Sequence, residues 1–172
     1  TLSLAAWAWA LRQPGAVDAV AAHPTCGVCL MHMHGEPATM QAAPMDDEVV
    51  PQVVAFLRMA REALQARGVS RERIAWDPGV GFGKTPRQNF SLLARQGELL
   101  APGYPLLVGW SRKSSLGAVT GRAEAAQRVA ASVAAAVLAA ERGAHILRVH
   151  DVRETVDALK VLCAVRAAST AH

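Results

Sequence analysis

Apolar positions along the chain alternate between short continuous runs and longer stretches with three- and four-residue spacing. Val28-Cys29-Leu30-Met31-His32-Met33 reads as a buried strand. The segment from about Asp46 to Arg67 reads as a helix, with acidic residues in its first turn, apolar residues at helical spacing and Gly68 as a stop. Ile74 to Trp76 is a second strand and Gln88 to Gln96 a short helix. Leu106 to Gly109 follows the turn at Pro102-Gly103 as a third strand. Ala123 to Arg142 is an Ala/Val-rich helix, favoured by propensity and closed by Gly143. Ile146 to Val149 is the last strand and Val152 to Ala168 the last helix. Strand followed by helix four times predicts a parallel sheet with right-handed crossovers. Four such units are half of an eight-fold barrel; an open doubly wound sheet is the other arrangement.

Composition narrows the class. The 172 residues are 52% hydrophobic and 19% charged, which predicts one ordered domain over residues 1–172 with a real core. No apolar run reaches the roughly 20 residues of a membrane span, so no membrane partner is expected. The apolar opening, Leu2 to Leu11, is short and lacks a basic start, which makes it a poor signal peptide and leaves a cytoplasmic location as the expectation. The net charge of +4 comes from scattered arginines, and aromatics are only 5%. That pattern argues against a nucleic-acid partner, which calls for a clustered basic stripe and stacking aromatics.

Charge is instead placed at the ends of predicted strands. Leu107-Val108-Gly109-Trp110 runs into Ser111-Arg112-Lys113-Ser114, which offers two cations and two hydroxyls. Ile74-Ala75-Trp76 runs into Asp77-Pro78-Gly79-Val80-Gly81-Phe82-Gly83-Lys84-Thr85. Ile146-Leu147 runs into Arg148-Val149-His150-Asp151. Strand ends that share charge predict one site at the C-terminal edge of a parallel sheet. The glycine-rich segment is no Walker loop, because Pro78 stands where the first glycine belongs. Its alternate glycines still let backbone approach a flat ligand, and Asp77 is placed to accept hydrogen bonds from a ring N–H and an exocyclic amine. Arg148 and His150, two apart on a strand, share a face and suit a phosphate or pyrophosphate.

His23, Cys26, Cys29, His32 and His34 resemble metal ligands by count. On a strand, however, Cys29 and His32 face opposite sides, and the Cys26–Cys29 pair enters a strand rather than a helix. No metal site is expected there, and Cys26, Cys29 and Cys163 are expected to be reduced thiols. No nucleophile–base pair is legible, which suits chemistry by positioning and charge stabilisation.

Together, Leu30 to Gln41, Asp77 to Thr85, Gly109 to Ser114 and Leu147 to Val152 resemble the C-terminal half of the dihydropteroate synthase family, in order and in spacing, across roughly residues 11–166. The resemblance implies a TIM (β/α)8 barrel, of which this chain covers about the last four β/α units. It implies a transferase of folate biosynthesis and a target of sulfonamides. Such an enzyme joins 4-aminobenzoate to 6-hydroxymethyl-7,8-dihydropterin diphosphate and releases pyrophosphate. By position, Asp77 would bind the pterin ring, and Met31, Gly81 and Phe82 would wall its slot. Lys113 would contact the pterin and orient the aminobenzoate, so that Asp77 and Lys113 are the expected catalytic pair. Ser114 would hold the aminobenzoate carboxylate, and Arg148 and His150 the diphosphate. The family also implies Mg2+ and a homodimer.

Departures from the family pattern are large. The segment that carries the magnesium-binding asparagine is absent, as is the Ser-Thr-Arg-Pro-Gly loop. Residues 1–10 are atypical: Leu4 to Trp9 stand where a pterin-binding asparagine belongs. The expectation is half a barrel with open edges, which self-associates or is a piece of a longer protein. Two other readings remain at this stage: a pterin-binding methyltransferase domain, and a non-catalytic half-barrel. Arg112-Lys113 in the loop favours the synthase over the methyltransferase, which usually has asparagine there.

Overall fold

The computed structural model describes residues 15–35, 45 and 48–169. The readings of Leu2 to Leu11, the atypical start, Glu36 to Gln41 and the acidic Asp46 therefore lie outside the described residues.

Among the described residues, four short parallel strands and seven α-helices follow one another in the expected alternation. They are α1 (Ala16–Ala22), β1 (Val28–Met31), α2 (Val49–Gln65), β2 (Ile74–Asp77), α3 (Pro86–Ala94), α4 (Gln96–Leu100), β3 (Leu107–Val108), α5 (Ser114–Thr120), α6 (Val129–Glu141), β4 (Ile146–Leu147) and α7 (Val152–Ser169). Strands β1 and β2 pair in parallel with Val28 opposite Ile74 and Met31 opposite Asp77. Strands β3 and β4 pair in parallel with Leu107 opposite Ile146. A parallel bridge from Trp76 to Leu106 and a 2.8 Å bond from Trp76 N to Pro105 O connect the two pairs. Where the sequence predicts one four-stranded ladder, two ladders are joined at a single bridge.

Strand alternation divides the sheet into two faces. Val28, Leu30, Ile74, Trp76, Leu106 and Val108 join one core with Val50, Val53, Leu57, Leu92, Ala135 and Ala139 from the helices. Full burial of one such side chain contributes about 1.5–3 kcal/mol. Trp76 stacks on Tyr104 with centroids 5.1 Å apart, and the Arg71 guanidinium covers the same ring at 4.2 Å. The other face carries Cys29, Met31, Ala75 and Asp77, which are not part of that core.

Several boundaries differ from the sequence reading, each for a local reason. β1 stops at Met31, one residue before His32, whose N still donates to Asp77 O at 3.0 Å. The strands predicted over Leu106–Gly109 and Ile146–Val149 each keep two residues. α2 begins at Val49, with no acidic residue in its first turn. It ends as expected near Gly68, whose φ of +84° suits glycine. α3 starts at Pro86 rather than Gln88, because Thr85 and Gln88 form a capping box ahead of a first-turn proline. The predicted helix from Ala123 opens as a 3-10 turn and becomes α-helical only at Val129. Among the described residues no single helix is long and apolar enough to cross a membrane.

Candidate active site

The C-terminal ends of all four strands meet. β2 delivers Asp77, which is 3% exposed. Its Oδ1 accepts from Gly79 N at 2.8 Å, a local turn that fixes the carboxylate's direction. Burial pushes the Asp77 carboxyl above the usual carboxylate range, opposed by the Gly79 N–H and by Arg148, Lys113 and Lys84.

The loop from Asp77 to Lys84 is pressed against the residues after β1. A Cβ on Gly79 would lie 1.7 Å from His32 O, and one on Gly83 would lie 2.3 Å from His34 O. Both glycines also have φ of +68°. Only glycine meets both demands. Lys84, named in the sequence only as part of the glycine-rich loop, folds back beneath it. Its Nζ lies 2.9 Å from His32 Nδ1, 2.9 Å from Gly79 O and 3.1 Å from Phe82 O. A charged Lys84 uses all three donors here, and His32 then accepts at Nδ1 with its ring proton on Nε2. Burial lowers the Lys84 pKa to about 7, with Asp77 opposing and Lys113 assisting.

Met31 and Phe82 meet in a small apolar cluster with Met33 and Phe56. Lys113 reaches over it, its Nζ 4.1 Å from the Phe82 ring centroid. A Cβ on Gly81 would meet Lys113 Cδ at 3.0 Å, so that glycine makes room for the cation. Burial lowers the Lys113 pKa; Arg148 adds to the effect and Asp77 opposes it. The expected walls of a flat slot, Met31, Gly81 and Phe82, are thus beside Lys113.

Next to them, Gly109, Ser111, Arg112, Lys113, Ala125, Arg148 and His150 line a cavity of about 470 Å³. Arg148 lies against Gly109, where a Cβ would sit 2.8 Å from its Nη2. Ser111 Oγ lies 2.9 Å from His150 Nδ1 and accepts from His150 N at 3.1 Å, holding the imidazole at the rim. Ser114 is exposed at the start of α5, one residue past Lys113. Asp77, Met31, Gly81, Phe82, Lys113, Ser114, Arg148 and His150 are all brought to one edge of the sheet.

Arg112, one of the two cations that the sequence offers at this strand end, is engaged by the protein itself. Its guanidinium engages Asp151 through Nη2–Oδ1 at 2.5 Å and Nε–Oδ2 at 3.2 Å. Asp151 is in turn held below the usual carboxylate range. Arg112 has φ of +61°, a left-handed conformation costly for a side chain this large. Three further contacts hold it: its N donates to Ser132 Oγ at 2.8 Å, its O accepts from Arg128 Nη1 at 2.9 Å, and Ser132 Oγ donates to Arg128 O at 2.6 Å. The turn therefore aims Lys113, and Arg112 is its anchor.

Sequence reasoning missed Lys84 as a brace, and also Asn89, Ser115 and Ser132. Polar residues on apolar helix faces were the available signal. His23, a candidate ligand by count, accepts instead from Cys26 N at 2.9 Å. Cys26 and Cys29 are buried, whereas Cys163 is exposed on α7. Burial raises the Cys29 thiol to about 12. Among the described residues no three His, Cys, Asp or Glu side chains converge on a metal position. Around Arg148 and Lys113 the walls are cationic, the wrong sign for holding Mg2+ unaided, so the residues present do not fit that ion.

Comparison with known proteins places this geometry. The family described as pterin binding enzyme matches residues 8–150. Dihydropteroate synthase of Neisseria meningitidis serogroup B is 48% identical over 155 residues, covering 88% of this chain and 54% of that protein. The Escherichia coli K12 enzyme is 46% identical over 152 residues, covering 88% and 53%. The chain thus spans about half the length of the curated relatives it matches. The solved structure of Burkholderia cenocepacia dihydropteroate synthase complexed with 7,8-dihydropteroate superposes with a TM-score of 0.88 at 52% identity, covering 96% of this chain and 61% of that one. The Yersinia pestis enzyme with a sulfonamide drug complex gives 0.91 at 43% identity, covering 96% and 60%. These neighbours assign the four β/α units to the TIM-barrel fold rather than to an open doubly wound sheet. By sequence and by fold, this chain belongs to the pterin-binding enzyme family, and it is similar to about half of a dihydropteroate synthase.

Proposed function

We propose that the chain acts in dihydropteroate synthesis, joining 4-aminobenzoate to 6-hydroxymethyl-7,8-dihydropterin diphosphate with release of pyrophosphate. The observation that carries this is the meeting of a buried carboxylate, an apolar slot and a cationic cavity within one sheet edge. Asp77 accepts hydrogen bonds from the pterin's ring N–H and amine. Met31, Gly81 and Phe82 bound the flat ring. Arg148 and His150 hold the diphosphate as charge-assisted donors. The methylene C–O bond breaks and its electron pair leaves with pyrophosphate. The pterin-stabilised cation is then trapped by the aminobenzoate nitrogen, which gives up a proton as the C–N bond forms. Lys113 sits between the two reactants, and the Ser114 hydroxyl faces the aminobenzoate carboxylate. Catalysis of this kind is positioning and charge stabilisation, which matches the lack of a nucleophile–base pair.

Relatives support the substrates: the Xanthomonas albilineans enzyme is solved with 4-aminobenzoic acid. We also propose that the molecule works as a homodimer in the cytoplasm and that magnesium, if used, arrives with the diphosphate. Calorimetric titration of the chain with the dihydropterin diphosphate, with and without Mg2+, tests the reading. Binding followed by turnover with 4-aminobenzoate supports it. A folded chain that neither binds nor turns over, even with an N-terminal half of a relative added, would mean a non-catalytic half-barrel.

A further inference from the structure

Two different loops carry the two halves of the site. Gly81 and Phe82 belong to the loop after β2, and Lys113 and Ser114 to the turn after β3. They come close where Gly81 faces Lys113, so that a Cβ on Gly81 would lie 3.0 Å from Lys113 Cδ. One side chain bonds to both. Asn89, in the first half of α3, is completely buried. Its Oδ1 accepts from Gly81 N at 2.9 Å. Its Nδ2 donates to Lys84 O at 3.3 Å and to Ser115 Oγ at 2.9 Å. Gly81 N can only donate and Lys84 O can only accept, so the partners dictate which end of the amide faces which loop. Ser115, 1% exposed, is the second residue of α5 and lies two residues after Lys113. Neither Asn89 nor Ser115 lines the cavity.

A buried amide is costly unless all its polar groups are bonded, and this one is bonded on both sides of the site. A hydrophobic residue at position 89 would serve the packing of α3 equally well. The amide is explained by what it joins.

We propose that Asn89 is a positioning residue which, through Ser115, locks the loop after β2 to the start of α5 and so sets the distance between the pterin wall and Lys113. The names of the two ligands rest on the proposed function; the linkage itself does not. A displacement reaction needs its reacting atoms held about 3–3.5 Å apart, so slack between these loops lowers turnover before it lowers the binding of either ligand alone. Order induced in one loop by its ligand reaches the other through the same bonds, and this coupling is reciprocal.

Two variants separate the linkage from general stability. Ser115→Ala removes only the hydroxyl to which Asn89 donates and touches neither Gly81 nor the cavity. Asn89→Asp keeps the acceptor for Gly81 N and loses both donors. The first readout is amide hydrogen exchange of the unliganded full chain. Gly81 N–H is expected to exchange at least about 5-fold faster in Ser115→Ala, with amides in β1 and α2 unchanged. Unchanged Gly81 exchange in that variant would overturn the proposal, as would a uniform acceleration across β1 and α2. The second readout is the ratio of 4-aminobenzoate affinities measured with and without the dihydropterin diphosphate. It is expected to fall by about fivefold or more in both variants, and an unchanged ratio overturns the proposal. Should the wild-type chain bind neither compound even with an N-terminal half of a relative added, the proposed function fails, and the exchange result alone decides the linkage.

Discussion

At the scale of single residues, the site contains cations with different work, and their chemistry separates them. Arg148 lines the cavity and lies against Gly109. Arg148→Ala is expected to weaken dihydropterin diphosphate binding by roughly tenfold or more, since a charge-assisted hydrogen bond contributes about 1.5–3 kcal/mol. Unchanged affinity in a titration would remove the leaving-group assignment. Lys84 is the opposite case, a buried ammonium bracing the loop that carries Gly81 and Phe82. Its folded pKa of about 7 lies below the ordinary lysine value of 10.5, so between those values the unfolded chain binds the extra proton. Stability attributable to Lys84 therefore rises with pH across that window. Denaturant unfolding at pH 6.5 and 9 should show wild type gaining on Lys84→Met at the higher pH; a gap that stays constant contradicts the assignment. Charges at strand ends were legible in the sequence, because strand ends are where parallel sheets place ligands. Which of those charges are engaged by other side chains was not legible. The Arg112–Asp151 pair joins positions 39 residues apart, and the burial of Lys84 depends on a neighbouring loop.

At the scale of elements, the alternation of strand and helix was readable from hydrophobic spacing alone. Long helices such as α2 and α7 repeat their pattern often enough to be seen. The short ones do not: α1, α4 and α5 have seven, five and seven residues, about two turns or fewer. α5 matters most, since its start follows Lys113 and holds Ser115. The start of α3 was legible in principle, because Thr85, Pro86 and Gln88 spell a capped helix. That cap has a functional side, since α3 presents Asn89 to the site. Thr85→Ala should destabilise the chain by about 1 kcal/mol, read as a lower denaturant midpoint at unchanged slope. A midpoint equal to wild type would mean that packing, not the cap, holds the start of α3.

At the scale of the whole molecule, the sheet ends at β4 on one side, where Ile146 is 37% exposed among the described residues. Val152, Val156, Val161 and Val165 are exposed along α7. A short strand edge and exposed valines on α7 favour association with another chain. Sedimentation of the purified chain is expected to show a species larger than the monomer, little changed by salt because the contact is apolar. A strictly monomeric, well-folded particle would argue against the homodimer. How the sheet edges are covered was not readable from the chain, since hydrophobic spacing reports which side chains are buried and not what buries them. The crowding of Gly109 against Arg148 has a further consequence, for the routes by which such a protein can change. Every single replacement at position 109 introduces a Cβ 2.8 Å from the guanidinium. The contact is with the far end of a flexible side chain, so a lineage that varies position 109 must move the Arg148 guanidinium from the place it holds now. A side chain at position 109 would thus mark a descendant whose Arg148 guanidinium points elsewhere.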